Sequence, residues 1–239
     1  MVSERRVVTI LFSDVVGSTA AAGKLDPEEW AEIVNDIFAC MIGPVERYGG
    51  KIARLMGDGI LAFFGAPNAH EDDPQRAVLA GLDIIAGIQQ LKERIQQQHG
   101  IPVDVRVGIN TGDVVVGEVG AHGQTEYTAL GDAANLAARM EQTATPGTVQ
   151  ISQATYQRVA QYVEIEPLGA VELKGKDEPE PAYRVRGVRP GRLRRRGLAA
   201  LRAELTGRVA EFATLQRAAA EVRLGRGQII CLIGEAGLG

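Results

Sequence analysis

Two aspartates, an asparagine–arginine pair and a glycine-containing loop are the parts of this 239-residue chain whose types and spacing could do chemistry together. Asp14 follows the apolar run Val7-Val8-Thr9-Ile10-Leu11-Phe12 and precedes Val15-Val16-Gly17-Ser18-Thr19. A small-residue loop of this kind, leaving a strand toward a helix, can aim backbone N–H groups at a phosphate, and glycine lets the anion come close. Asp58 lies in Gly57-Asp58-Gly59, between two segments that read as short strands, Ile52–Met56 and Ile60–Phe64. Read singly, Asp14 is a turn or capping residue and Asp58 the acid of an Asp-Gly hairpin turn. Read together, two carboxylates at neighbouring strand positions suit a pair of divalent cations about 3.5–4 Å apart, which stabilise both the attacking and the leaving oxygen of an in-line displacement. Asn135 and Arg139 are four residues apart in a helical stretch, so both leave one face. The opposite face carries Ala133, Leu136, Ala137 and Met140. On their own, Asn135 and Arg139 read as merely solvent-facing.

The elements that must position these groups follow from periodicity. Arg6 to Phe12 predicts a buried strand. Asp26-Pro27-Glu28-Glu29 opens a helix, with Asp26 as cap, Pro27 at the first helical position and Glu29 completing a capping box. Trp30, Ile33, Val34, Ile37, Phe38, Met41, Ile42 and Val45 form one helical stripe that Gly49-Gly50 ends. The runs 52–56 and 60–64 form a hairpin, and a second helix begins at Asp73-Pro74. Val103, Val105, Val107 and Ile109 alternate as a half-buried strand. Thr111-Gly112-Asp113 reads as a turn into a partner strand, Val114 to Val119, and Gly120 to Glu126 as a projecting loop or hairpin. A helix over Gly131–Thr143, a strand over Thr148–Ser152, a short helix over Gln153–Ala160 and weaker strands at 171–174 and 182–188 complete the pattern. The fold class is α+β: a ferredoxin-like βαββαβ core with additional strands and helices.

Composition bounds the rest. The chain is 45% hydrophobic and 23% charged with net charge −4, so nothing global points to nucleic acid or an anionic membrane as partner. Cys40 and Cys231 sit in apolar segments and read as reduced, buried thiols. With no signal-peptide pattern and no apolar run near the roughly 20 residues that span a bilayer, a cytoplasmic protein is expected. Eight arginines lie between Arg184 and Arg202. They read as a solvated linker or, alternatively, as an anion-binding arm, against which stands the lack of interleaved aromatic residues.

The segments LFSDVVGST, GGKIARLMGDGILAFFG, VRVGINTGDVVVGEVG, YTALGDAANLAARM and LKGK occur in the order and spacing of class III adenylyl and guanylyl cyclases, which Arg6 to Val188 resembles. The resemblance implies a nucleotide cyclase forming a 3′,5′-cyclic monophosphate and pyrophosphate. It implies two divalent cations, Mg²⁺ or Mn²⁺, held by Asp14, Asp58 and the backbone carbonyl of Val15, with Val16, Gly17, Ser18 and Thr19 at the phosphates. Asn135 matches the asparagine that orients the ribose, Arg139 the arginine that stabilises phosphate charge in the transition state, and Lys174 (or the neighbouring Lys176) the lysine on the leaving phosphates. In this family the metal aspartates and the Asn/Arg pair of one site come from different subunits, so a homodimer with two shared sites is implied.

Base choice in the family rests largely on two positions, here Arg54, where adenylyl cyclases usually have Lys, and Thr128. Arg54 can donate to adenine N1, and no Glu is present to accept from guanine. Thr128 can accept from the adenine amino group or donate to guanine O6. The balance favours ATP, although arginine is a wider fork than lysine. Thr128, together with the downstream segment, resembles soluble adenylyl cyclases of the bicarbonate-responsive kind.

Beyond residue 188 the sequence predicts a basic linker, 189–205, and a fragment, 206–239, in which a buried strand Ile229–Ile233 leads into Gly234-Glu235-Ala236-Gly237-Leu238-Gly239. The fragment resembles the truncated start of an AAA/STAND-type P-loop ATPase. It stops before the phosphate lysine and the Mg²⁺ hydroxyl, and in the full-length protein this ATPase region would be the cyclase's own partner.

Overall fold

The computed structural model describes residues 4–121, 124–130, 132–171, 179–190 and 209–231. Their elements are β1 (Glu4–Val15), α1 (Ser18–Ala22), α2 (Pro27–Arg47), β2 (Lys51–Met56), β3 (Gly59–Phe64), α3 (Asp73–His99), β4 (Val105–Ala121), β5 (Gln124–Leu130), α4 (Asp132–Thr143), β6 (Thr148–Ser152), α5 (Gln153–Val159), β7 (Val163–Val171), β8 (Glu180–Val188) and α6 (Val209–Arg223). They fall into two compact units, Met1–Arg194 and Arg195–Gly239.

The first unit is built on one sheet in the order β2-β3-β1-β4-β6-β8-β7, with β5 paired to β4. β1 is antiparallel to both β3 and β4, so the βαββαβ core expected from the sequence is present. The unbroken apolar run of β1 is explained by cover on both faces. Leu11 packs with Ile37, Met41 and Ile84 from α2 and α3, whereas Val8 and Ile10 pack with Ala133 and Ala137 from α4. A strand buried on both faces loses the apolar–polar alternation of a half-exposed one.

Four sequence expectations need correction. Thr111-Gly112-Asp113 is not a turn: β4 runs straight through it, with Val8 opposite Gly112 and Val7 opposite Asp113 on β1. Glycine serves here as a place of close approach, since a Cβ on Gly112 would lie 2.9 Å from Ala133 Cβ, and Thr111 turns its hydroxyl into a buried network with Thr9 and Thr155. The hairpin falls further on, between β4 and β5. Asp26 occupies the N-cap position of α2 but accepts no capping hydrogen bond through its side chain, so the capping box is not formed. β7 begins at Val163, well before the strand expected at 171–174, of which 172–174 lie outside the described residues. Finally, Ile229, Ile230 and Cys231 form no strand and are exposed, because no described strand pairs with them; 232–239, with the glycine-rich turn, lie outside the described residues. Cys40 is half-buried and Cys231 exposed.

Candidate active site

Antiparallel register brings the two aspartates together. Ser13 pairs with Ile60 at the end of the β1–β3 ladder, which places the Gly57-Asp58-Gly59 turn against Asp14. A Cβ on Gly59 would lie 2.8 Å from Asp14 Oδ1 and 2.8 Å from the Ser13 carbonyl. Only glycine at 59 leaves the Asp14 carboxylate its place beside the turn. Burial raises the Asp14 pKa above the ordinary carboxylate range; the nearby Asp58 charge adds to the rise, and Arg106 and the Val15 amide oppose it. Asp58 Oδ2 is buried without a hydrogen-bond partner. An orphaned carboxylate oxygen beside a second, half-buried acid is an arrangement that costs free energy until a cation satisfies it. Among the described residues no group of three or more His, Cys, Asp or Glu side chains forms, so further ligands would come from backbone, substrate or water. The pair fits the divalent cations expected from the sequence.

Gly17 adopts φ 74° at the start of α1, a left-handed conformation that glycine alone takes at no steric cost. Ser18 and Thr19 open that helix and line, with Gly57, Asp58 and Trp30, a cleft of about 400 Å³. The Val16 amide is committed elsewhere, donating to the Asp104 carbonyl at 2.8 Å. Val16 instead lines a separate cleft of about 310 Å³ with Lys24, Lys92 and Asp104, a cleft that Gly17 shares. Val15 is buried at the end of β1.

Asn135 is exposed and Arg139 half-buried on α4, whose apolar face (Ala133, Leu136, Ala137, Met140) is buried as the spacing required. Arg139 donates from Nη1 to Gln142 Oε1 at 2.8 Å. The first turn of α4 is pinned by buried Asn110, which donates to the Ala133 carbonyl at 2.9 Å and accepts from Ser152. Among the described residues no hydrogen bond or ion pair joins Asn135 or Arg139 to either aspartate of the chain. Arg54 is exposed on β2, opposite Leu61. Thr128 pairs with Gly117 in the backbone of β5, and β5 touches β2. Lys174 and Lys176 lie outside the described residues.

Two residues of the site were not foreseen. Arg106, directly across the ladder from Asp14, lies 3.9 Å from its carboxylate and 3.1 Å from Glu141 Oε1. Although so close, Arg106 Nε and Glu141 Oε1 lack hydrogen-bond geometry. Glu141 is buried on α4, and its carboxyl is pushed up to about 7, chiefly by burial, with Arg106 opposing and Asp14 and Asp58 adding. The available signal was the one cation of β4, set between Val105 and Val107, and a Glu four residues past the inward-facing Ala137.

Comparison with known proteins bears on the family and the fold. The family described as Adenylate and Guanylate cyclase catalytic domain matches residues 2–186. An adenylate cyclase of Mycobacterium tuberculosis is 31% identical over 168 residues, 70% of this chain and 37% of that protein. The chain thus spans little more than a third of such relatives. Among solved structures, the adenylyl cyclase CyaB of P. aeruginosa superposes with TM-score 0.76 and 31% identity, covering 80% of this chain and 98% of that one. The guanylyl cyclase Cya2 superposes with TM-score 0.75 and 34% identity, covering 81% and 98%.

Proposed function

Because this chain belongs to the adenylate and guanylate cyclase catalytic-domain family, we propose that it converts ATP to 3′,5′-cyclic AMP and pyrophosphate at sites shared across a homodimer. The observation that carries the reading is the Asp14–Asp58 pair, with its buried, unpartnered Asp58 oxygen and the Asp14 pKa raised by burial and by Asp58. Asp14, Asp58 and the Val15 carbonyl would hold the divalent cations. When bound, these would offset charge on the phosphates and on the ribose 3′-oxygen as it attacks the α-phosphate and pyrophosphate leaves.

The remaining work falls to the chain's own groups. Ser18 and Thr19, which line the Asp58 cleft, would face the phosphates, with Gly17 beside them at the start of α1. Asn135 of the partner subunit would orient the ribose, and Arg139 of the partner subunit would meet the charge that develops on the phosphates. Lys174 would bind the leaving phosphates. The separation of Asn135 and Arg139 from the aspartates of their own chain supports a site completed by a second copy. So do Val7, Leu55 and Val115, apolar side chains left about half exposed on β1, β4 and the edge strand β2, as a covering partner would leave them.

ATP is favoured over GTP because Arg54 is a donor from which adenine N1 could accept, and contact of β5 with β2 supports Arg54 and Thr128 reading one base together. Turnover of ATP and of GTP, each with Mn²⁺ and with Mg²⁺, tests this. Cyclic AMP is expected as the main product; a clear preference for GTP contradicts the base assignment, and no cyclic product from either contradicts the activity.

A further inference from the structure

A single buried amide joins the start of α4 to the sheet. Asn110, 1% exposed on β4, donates from Nδ2 to the Ala133 carbonyl at 2.9 Å and accepts at Oδ1 from the Ser152 hydroxyl at 2.6 Å. The amide can point only one way: a carbonyl accepts and never donates, so the NH2 group faces Ala133 and the oxygen faces Ser152. Ser152 is itself buried at the N-cap of α5, where its hydroxyl accepts from the Thr155 amide at 3.3 Å. From Thr155 the network continues to Thr111 at 3.0 Å and on to Thr9 of β1 at 2.9 Å. Asn110 is thus the member of this network that reaches the helix carrying Asn135 and Arg139.

The packing around that bond sets distance rather than direction. Gly112 meets Ala133, and a Cβ on Gly108 would lie 2.6 Å from the Ala137 carbonyl, so glycines and alanines let α4 lie close on β4. Apolar contact is non-directional, whereas a hydrogen bond fixes where its partner stands. The Ala133 carbonyl has two lone pairs, one for the helical N–H four residues on and one for Asn110. At its far end α4 is held from the sheet by Gln150, which donates to the Thr143 hydroxyl at 2.7 Å. Asn135 leaves the first turn, two residues after Ala133, and that is the end Asn110 holds.

We propose that Asn110 is a positioning residue for Asn135: its buried amide fixes the first turn of α4 on the sheet, and with it the place of the side chain that orients the ribose. This deepens the function proposed above and rests on its assignment of Asn135 to the ribose. Asn110 is buried and meets no reacting atom, so it acts through Asn135. Displacing an orienting group by about 1 Å can cost on the order of a hundredfold in rate. The phosphate contacts on β1 and α1 are untouched by such a shift, so the loss falls on kcat rather than on KM.

The test is a double-mutant cycle on the whole chain, with Asn110→Ala and Asn135→Ala made singly and together and cyclic nucleotide formation from ATP followed. Asn135→Ala is expected to lower kcat about a hundredfold and Asn110→Ala about tenfold. For Asn110→Ala, the KM for ATP and the Mn²⁺ concentration for half-maximal activity should stay within about twofold of the parent's. In the Asn135→Ala background, adding Asn110→Ala should lower kcat by less than about twofold more, because a positioning residue has nothing left to position. A residue that only supports the fold would lower kcat by the same factor in both backgrounds, and that result overturns the inference. So does a loss confined to KM or to the Mn²⁺ requirement. Asn110→Ser can still accept from Ser152 but stops one bond short of Ala133, and it carries the same expectations if Asn110→Ala does not fold. If Asn135→Ala itself leaves kcat near the parent's, the ribose assignment falls and the inference with it. If Asn135→Ala lowers kcat and Asn110→Ala does not, the assignment stands and the inference alone falls.

Discussion

Asp14 and Asp58 bring two acids into one half-buried corner, and the free-energy cost of that arrangement makes predictions. A carboxylate whose folded pKa is raised contributes stability below its unfolded pKa and loses it as pH rises through the folded value. At neutral pH, without metal, charged Asp14 is therefore a liability. Asp14→Asn should melt in EDTA no lower than the parent, while cyclising activity falls by about a hundredfold or more. Mn²⁺ should raise the parent's melting midpoint in a concentration-dependent way and leave that of the variant nearly unmoved; equal stabilisation of both would remove Asp14 from the metal site. Glu141 follows the same sign. With its carboxyl pushed up to about 7 by burial, the parent should lose stability as pH rises from about 5 to about 8. Glu141→Gln removes that slope, so thermal melts in EDTA should show the difference between variant and parent moving in the variant's favour across this interval. A difference that stays constant with pH would mean Glu141 does not titrate there.

At the scale of elements, the site depends on how closely α4 lies on β4. Gly108 and Gly112, about two helical turns of α4 apart in what they face, meet Glu141 and Ala133 respectively. Gly108→Ala should cost about 2–3 kcal/mol in urea unfolding through forced displacement of the helix, with loss of activity; an unchanged midpoint would contradict the packing described. These same glycines mark where the sequence misled. Short apolar runs and helical periodicity were enough to place β1, β2, β3, β6 and the long α2 and α3, because their apolar residues supply or pack against the core. Thr111-Gly112-Asp113 carried turn chemistry but answers to a helix packed across it, a tertiary demand that local pattern does not encode. α1 has five residues and follows no apolar stripe, so it could be read only as a loop. Asp58 was legible because hairpin geometry returns it to β1. Arg106 was not, because its role exists only once β1, β4 and α4 are in register.

For the whole molecule, the aspartates sit at the β1–β3 end, while Asn135 and Arg139 project from α4 without an ion pair or hydrogen bond to those acids among the described residues. The second unit adds α6 with its exposed Phe212 and Val222, and no described helix is long and apolar enough to cross a membrane. On the proposed reading, a two-fold arrangement of two copies would give each site one contribution from each chain, and the function would be a property of the pair. Mixing decides it. Asp14→Ala and Arg139→Ala proteins, each inactive alone, should recover on co-refolding about a quarter of parental cyclic nucleotide formation, since about half the dimers would be mixed and each would own one intact site. Activity that stays at the background of the separate variants, in a mixture shown to contain heterodimer, would contradict a site shared between chains.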